Sequence, residues 1–192
     1  APFDVEDAFD TWARIQGFEL TAGLPAPLRT PPLKQLVWQG YVRSKFGSLA
    51  GRMAKGASLG PRGYFQALDR RAALADGLDA FFDDWDLWVT PVAATPTFTH
   101  RPTGAARTLE GVSVPYALPI APYNCPTAVL GHPILTLPAG RTPTGRPIGL
   151  QVHARHGADA TLLAAGRRLE AVLGCDPAPA SLAEAPRTDD SA

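Results

Sequence analysis

The side chains able to do chemistry are few in this chain, and their spacing does not assemble them. Lys34, Lys45 and Lys55 are the only lysines. A lysine can activate a serine only within hydrogen-bond reach, and the reaction also needs backbone donors set for the developing oxyanion. No Ser-Gly-Gly-Ser-like run accompanies these lysines and no Ser-x-x-Lys occurs. Nor is a Gly-x-Ser-x-Gly expected. No catalytic residue is therefore expected here. His153 and His156 stand close together at a strand end without an acidic partner, and His100 and His132 are lone. No metal site is expected from them. Asp83, Asp84 and Asp86 could suggest paired carboxylates, but they close a helix and read as a solvated end.

Two cysteines, Cys125 and Cys175, cannot build a disulfide framework and lack metal-type spacing, so both are expected as unpaired thiols in a reducing cytoplasm. Eighteen Lys plus Arg balance eighteen Asp plus Glu, leaving no net field to draw the chain to nucleic acid or anionic lipid. No apolar run approaches the roughly 18 residues that cross a bilayer, and residues 1–10 are acidic rather than a basic leader. The expectation is a soluble protein that binds neither nucleic acid nor membrane and takes no cofactor. Twenty prolines are about twice the usual usage of roughly 5%, so loops must be numerous.

Positioning elements follow from periodicity. Val5, Ala8, Phe9, Trp12 and Ile15 predict an amphipathic helix to about Leu20, with Asp4 as N-cap. Pro25, Pro27, Pro31 and Pro32 predict an extended connector. Only a short helix is expected within 36–53, weakened by Gly40, Gly47 and Gly51. Pro61 can open a long helix whose stripe is Tyr64, Leu68, Ala72, Ala75, Leu78 and Phe82. Residues 87–91 read as a short buried strand closed by proline. From Ala93 to Leu130 the sequence predicts one long loop, of the kind that lines sites. Residues 132–138 and 147–152 predict a hairpin, and Asp159 is expected to cap a last helix stopped by Gly174. One domain is expected over 1–176, followed by a disordered Pro/Ala-rich tail over 177–192.

The stretch Phe81-Phe-Asp-Asp-Trp-Asp-Leu-Trp-Val-Thr-Pro-Val92 resembles the amidase-signature pattern in which a helix runs into "yD-hydrophobic-hydrophobic-x-P". Leu130-Gly-His-Pro-Ile-Leu-Thr-Leu-Pro-Ala-Gly140 is similar to that family's "tG-x-Pa-x-x-x-PaG". Gly145-Arg-Pro-Ile-Gly-Leu-Gln-Val152 is similar to "G-x-PiGxQ", and Leu169-Glu170 matches the usual closing helix. The pieces run in order over about 61–174. Gly140 and Gly145 suit turns, Gly149 suits a close backbone approach, and Gln151 is expected as a structural or solvent-facing strand residue.

The resemblance implies the C-terminal half of a Ser-cisSer-Lys amidohydrolase. The implied fold is α/β, a mixed sheet flanked by helices that is incomplete without the N-terminal half. Its activity would be cleavage of carboxylic amides through an acyl-enzyme. Ammonia transfer for tRNA-dependent amidation is a narrower option. This half would complete the sheet and line the acyl pocket, its partners being the N-terminal half, a small-molecule amide and, at most, a second copy in a homodimer. Tyr123, Asn124, Cys125 and Thr127 are the expected substrate-binding residues. They fall where relatives carry "Y-T-x-P-F-N-x-T-G" and this chain has Tyr123-Asn-Cys-Pro-Thr-Ala-Val-Leu-Gly131, so substrate preference does not carry over. The competing reading is a structural subunit or noncatalytic fragment.

Overall fold

The computed structural model describes residues 2–47, 49–98, 102 and 105–174. Cys175, His100 and the tail over 177–192 lie outside them. Helix α1 (Val5–Ala22) starts where expected, because Asp4 Oδ1 accepts from the amides of Glu6 at 3.0 Å and Asp7 at 3.1 Å. Such a cap contributes about 1 kcal/mol.

The expected extended connector is helical instead. A 3₁₀ turn occupies Ala26–Arg29, and α2 (Pro31–Val37) runs through a π turn (Trp38–Val42) into α3 (Arg43–Phe46), followed by α4 (Leu49–Ala57). Proline breaks a helix only beyond its first turn. Pro25 precedes the 3₁₀ turn as its N-cap, and Pro27, Pro31 and Pro32 sit at first-turn positions, where no amide is needed. Trp38, Val42 and Met53 close with Ala13 into a core against α1.

Helix α4 crosses α1 at backbone contact. A Cβ built on Gly17 would overlap the carbonyl of Met53, and one on Gly56 would overlap the carbonyl of Arg14. Arg52 holds the crossing from outside, bridging Glu6 at 2.8 Å and Asp10 at 2.9 Å.

Helix α5 (Pro61–Phe81) matches its prediction in extent, but its buried face is Ala67, Leu74 and Leu78, and Ala72 is exposed. It lies along α1, where Arg70 pairs with Asp7 and the Tyr64 hydroxyl donates to Glu19 at 2.8 Å. Leu78 and Phe82 join Ala8 and Leu130 in a second core that Trp88 touches.

The sheet order is β1-β5-β4, with β1 (Trp88–Pro91), β4 (Ile134–Arg141) and β5 (Pro147–His153) all antiparallel. Central β5 carries Val152, fully buried, while β1 is an edge whose Val89 is 52% exposed. The expectation of a buried β1 is thus corrected: only one side of it is paired among the described residues. Ile148 on β5 is exposed as well. Gly145 adopts the positive φ expected of the turn between β4 and β5, whereas Gly140, expected in a turn, takes its positive φ within β4 where the pairing register shifts after Pro138.

The expected loop from Ala93 to Leu130 contains structure. Strands β2 (Arg107–Leu109) and β3 (Val112–Val114) form a small hairpin, and α6 (Ala121–Ala128) follows. Helix α7 (Asp159–Leu173) packs Leu162 and Leu169 onto Leu137 and Val152. Asp159 lies inside its first turn rather than capping it: Ala158 holds the cap position without a side-chain bond, and Gly174 ends the helix at φ 61°. No helix among the described residues is long and apolar enough to cross a membrane.

Candidate functional site

Helix α6 carries all four expected substrate-binding residues and turns them in different directions. Pro122 fits its first turn, while Pro126 lies inside and removes one backbone donor. The Thr127 hydroxyl is spent on the same helix, reaching the carbonyls of Tyr123 at 3.2 Å and Asn124 at 3.0 Å.

Tyr123 and Thr127, one turn apart, share a face. With Phe3, Trp88, Thr90 and Pro91 they line a cleft of about 220 Å³ beside the β1 edge. Asn124 points the other way, its Oδ1 accepting from Gln151 Nε2 at 2.7 Å. Gln151 is buried on β5 and also donates to the Pro91 carbonyl at 3.2 Å. It is structural as expected, but not solvent-facing. Cys125 faces Phe9, Leu49 and Ala121 in the core behind α6, where burial pushes its thiol up to about 12. That thiol is protonated and inert at neutral pH. The structure thus brings Tyr123 and Thr127 together and separates Asn124 and Cys125 from them.

Thr90 of the cleft lining is bonded to the buried His153. Its Nε2 and the Thr90 hydroxyl share a 2.9 Å hydrogen bond, and its ring lies 4.8 Å from that of Trp88. Burial, with a smaller contribution from His132, lowers its pKa to about 4, so it is neutral at pH 7.

His132 is not lone. Its Nε2 lies 3.1 Å from Asp79 Oδ1, which also accepts the His156 amide at 3.3 Å. Burial raises the Asp79 carboxyl, but the His156 amide and the His132 ring outweigh it and hold the group below its ordinary value. Arg155 pairs with Asp83 at the acidic helix end, where Asp83, Asp84 and Asp86 are all exposed as expected. No group of three or more potential metal ligands occurs among the described residues.

Two features escaped the sequence reading. Gly56-Ala-Ser-Leu-Gly60 has Gly-x-Ser-x-Gly spacing, but Ser58 follows α4, not a strand, and its hydroxyl donates to the Ala54 carbonyl at 3.1 Å. That is not the strained, exposed turn a nucleophile needs. The second is Arg107, buried beside a cleft of about 340 Å³ that Val92, Phe98, Ile120 and Ile148 also line. A single arginine in a turn-rich segment has no periodic or motif signal to reveal it.

The Amidase family model matches residues 41–163, from the turn before α3 into α7. An acylamidase of Rhodococcus erythropolis is 39% identical over 102 residues, 53% of this chain and 21% of that protein. A component of the glutamyl-tRNA(Gln) amidotransferase of Koribacter versatilis is 33% identical over 111 residues, 57% of this chain and 22% of its own length. The matched stretch therefore spans about a fifth of each of these relatives. Among solved structures, a bacterial aryl acylamidase of the amidase-signature family superposes with a TM-score of 0.59 at 21% identity, covering 88% of this chain and 34% of that one. The α/β arrangement is that of part of the amidase-signature fold, and the chain belongs to the amidase family.

Proposed function

We propose that this chain is the C-terminal part of an amide hydrolase of the Ser-cisSer-Lys type, and that α6 forms a wall of its acyl pocket. In the reaction a serine outside this sequence attacks the amide carbonyl carbon and the amine leaves with a proton. Water then opens the acyl-serine ester to release the acid and regenerate the hydroxyl. The chain contributes positioning rather than bond-making. Among the described residues, its one Gly-x-Ser-x-Gly serine is bonded into a helix end.

The observation that carries this reading is the cleft beside β1. Tyr123 offers it an apolar ring with a polar tip, and Trp88 and Pro91 complete an apolar wall. The exposed Val89 edge beside it is available for further strands of the sheet. Substrate contact falls to Tyr123 and Thr127 on this face. Asn124 supports it from behind through Gln151.

The test is an assay of the purified chain, and of the complete enzyme, against aryl and alkyl amides. The chain alone is expected to be inactive. Turnover lost on changing one of its own serines would overturn the assignment. In the complete enzyme, Tyr123→Ala should reorder acyl groups by kcat/KM. An unchanged ranking with only a lower Tm would make α6 structural.

A further inference from the structure

Arg107 opens β2 and is only 4% exposed, yet its Nε, Nη1 and Nη2 have no hydrogen-bond partner among the described residues. Its Cζ lies 3.4 Å from the ring centre of Phe98 and 4.2 Å from that of Tyr116. Rings of this kind attract the charge, but they cannot satisfy the five N–H donors of the guanidinium. A buried charge left without an acceptor is costly. Something must accept those donors, and the Arg107 side chain borders the cleft of about 340 Å³.

The sequence around the cleft supplies no countercharge. Between Asp86 and Arg155 the sole acidic residue is Glu110, against Arg101, Arg107, Arg141 and Arg146. Glu110 sits at the tip of the β2–β3 hairpin and does not pair with Arg107. The balanced net charge of the whole chain conceals this local excess. The cleft wall is also held in place: the Ala94 amide donates to the Pro119 carbonyl at 2.8 Å, and Arg146 Nη1 donates to the Thr97 carbonyl at 3.3 Å. A pocket of this volume accepts a small organic molecule.

We infer that the cleft binds the carboxylate of a small molecule, with Arg107 as its bidentate clamp and Ile120 and Ile148 against its apolar body. A carboxylate matches the planar guanidinium fork. Phosphate would call for more donors than one arginine in otherwise apolar walls. On the amide-hydrolase reading, to which this adds, the favoured amide carries a carboxylate distant from the scissile bond.

The test reads binding rather than turnover, so it stands or falls apart from the hydrolase assignment. The full chain, with folding checked by circular dichroism, is titrated with 4-fluorobenzoate, 4-fluorobenzamide and inorganic phosphate by ¹⁹F and ³¹P NMR. Saturable binding is expected for the benzoate alone. It should weaken at least tenfold in Arg107→Met and measurably in Arg107→Lys, which keeps the charge but loses the fork. Ile148→Glu changes an exposed position and supplies an internal carboxylate, so it should block the benzoate even if Arg107→Met fails to fold. Equal binding of acid and amide, preferential binding of phosphate, or benzoate binding indifferent to Ile148→Glu would overturn the inference. So would absence of benzoate binding to the complete enzyme, where a side chain of the remaining protein would then be the partner of Arg107.

Discussion

Gln151 Nε2 lies 2.7 Å from Asn124 Oδ1 and ties the middle of α6 to the central strand of the sheet. Because Gln151 also donates to the Pro91 carbonyl, one buried carboxamide joins α6, β5 and β1. Asn124→Ala removes an acceptor without giving the buried amide another, a loss of about 1–3 kcal/mol. Gln151→Ala should cost a similar amount. Urea denaturation of the two single variants and the double variant should give a coupling energy of roughly 0.5–3 kcal/mol, since the partners touch. Strict additivity would show that the bond contributes nothing.

Cys125 gives a chemical readout of the same helix. With its thiol raised to about 12 by burial, native protein should react with iodoacetamide far more slowly at pH 8 than protein unfolded in urea. A Cys175→Ser background isolates the signal. The sign of the pH effect is fixed by the proton count: above the ordinary 9.0 the unfolded thiol loses a proton that the folded thiol keeps. Stability should therefore fall as pH rises from 9.0 towards 12, and Cys125→Ala should remove that part of the slope.

His153 works at the acid end. Its folded pKa, about 4, lies below the ordinary 6.5, so the unfolded chain binds a proton first as pH falls. Stability is fully present above 6.5 and lost between 6.5 and 4, by roughly 3 kcal/mol at the limit. His153→Gln should flatten the stability profile over this window, whatever it does to stability at pH 7. A ring resonance titrating near 6.5 in folded protein would contradict the burial argument.

The sequence announces the β4–β5 hairpin and α5 because Gly and Pro mark their ends and an apolar stripe marks the helix face. It hides α6, where two prolines fall within eight residues. The helix forms there because Ala121 and Cys125 pack on Phe9 and Leu49, and Asn124 bonds Gln151. Local propensity is overridden by contacts far away in the chain. The prolines at 31 and 32 mislead for a different reason: first-turn positions need no amide donor. At the site, Tyr123 is reached by resemblance and its position on the cleft is visible only in three dimensions. His132 and Asp79 lie 53 residues apart, so no spacing rule joins them. Arg107 is silent in sequence because its significance lies in the lack of partners among the described residues, not in a pattern that is present.

The crossing of α1 and α4 offers a prediction in which one substitution differs in sign among three helical glycines. Alanine is favoured over glycine inside a helix by about 1 kcal/mol. At Gly77 on α5 nothing lies within 4 Å of an added Cβ, so Gly77→Ala should stabilise by up to that amount. At Gly17 the added Cβ meets the Met53 carbonyl, and at Gly56 it meets the carbonyl of Arg14. Neither obstacle is a flexible side chain, so the helices must separate. Overpacking of this kind costs about 1–3 kcal/mol, which exceeds the helix-propensity gain. Separation would also shift Phe9, the α1 residue that packs behind α6. Thermal melts of Gly17→Ala, Gly56→Ala and Gly77→Ala should therefore move Tm down, down and up. If Gly17→Ala rises with Gly77→Ala, the two helices do not meet at their backbones and the packing behind the cleft wall must be redrawn.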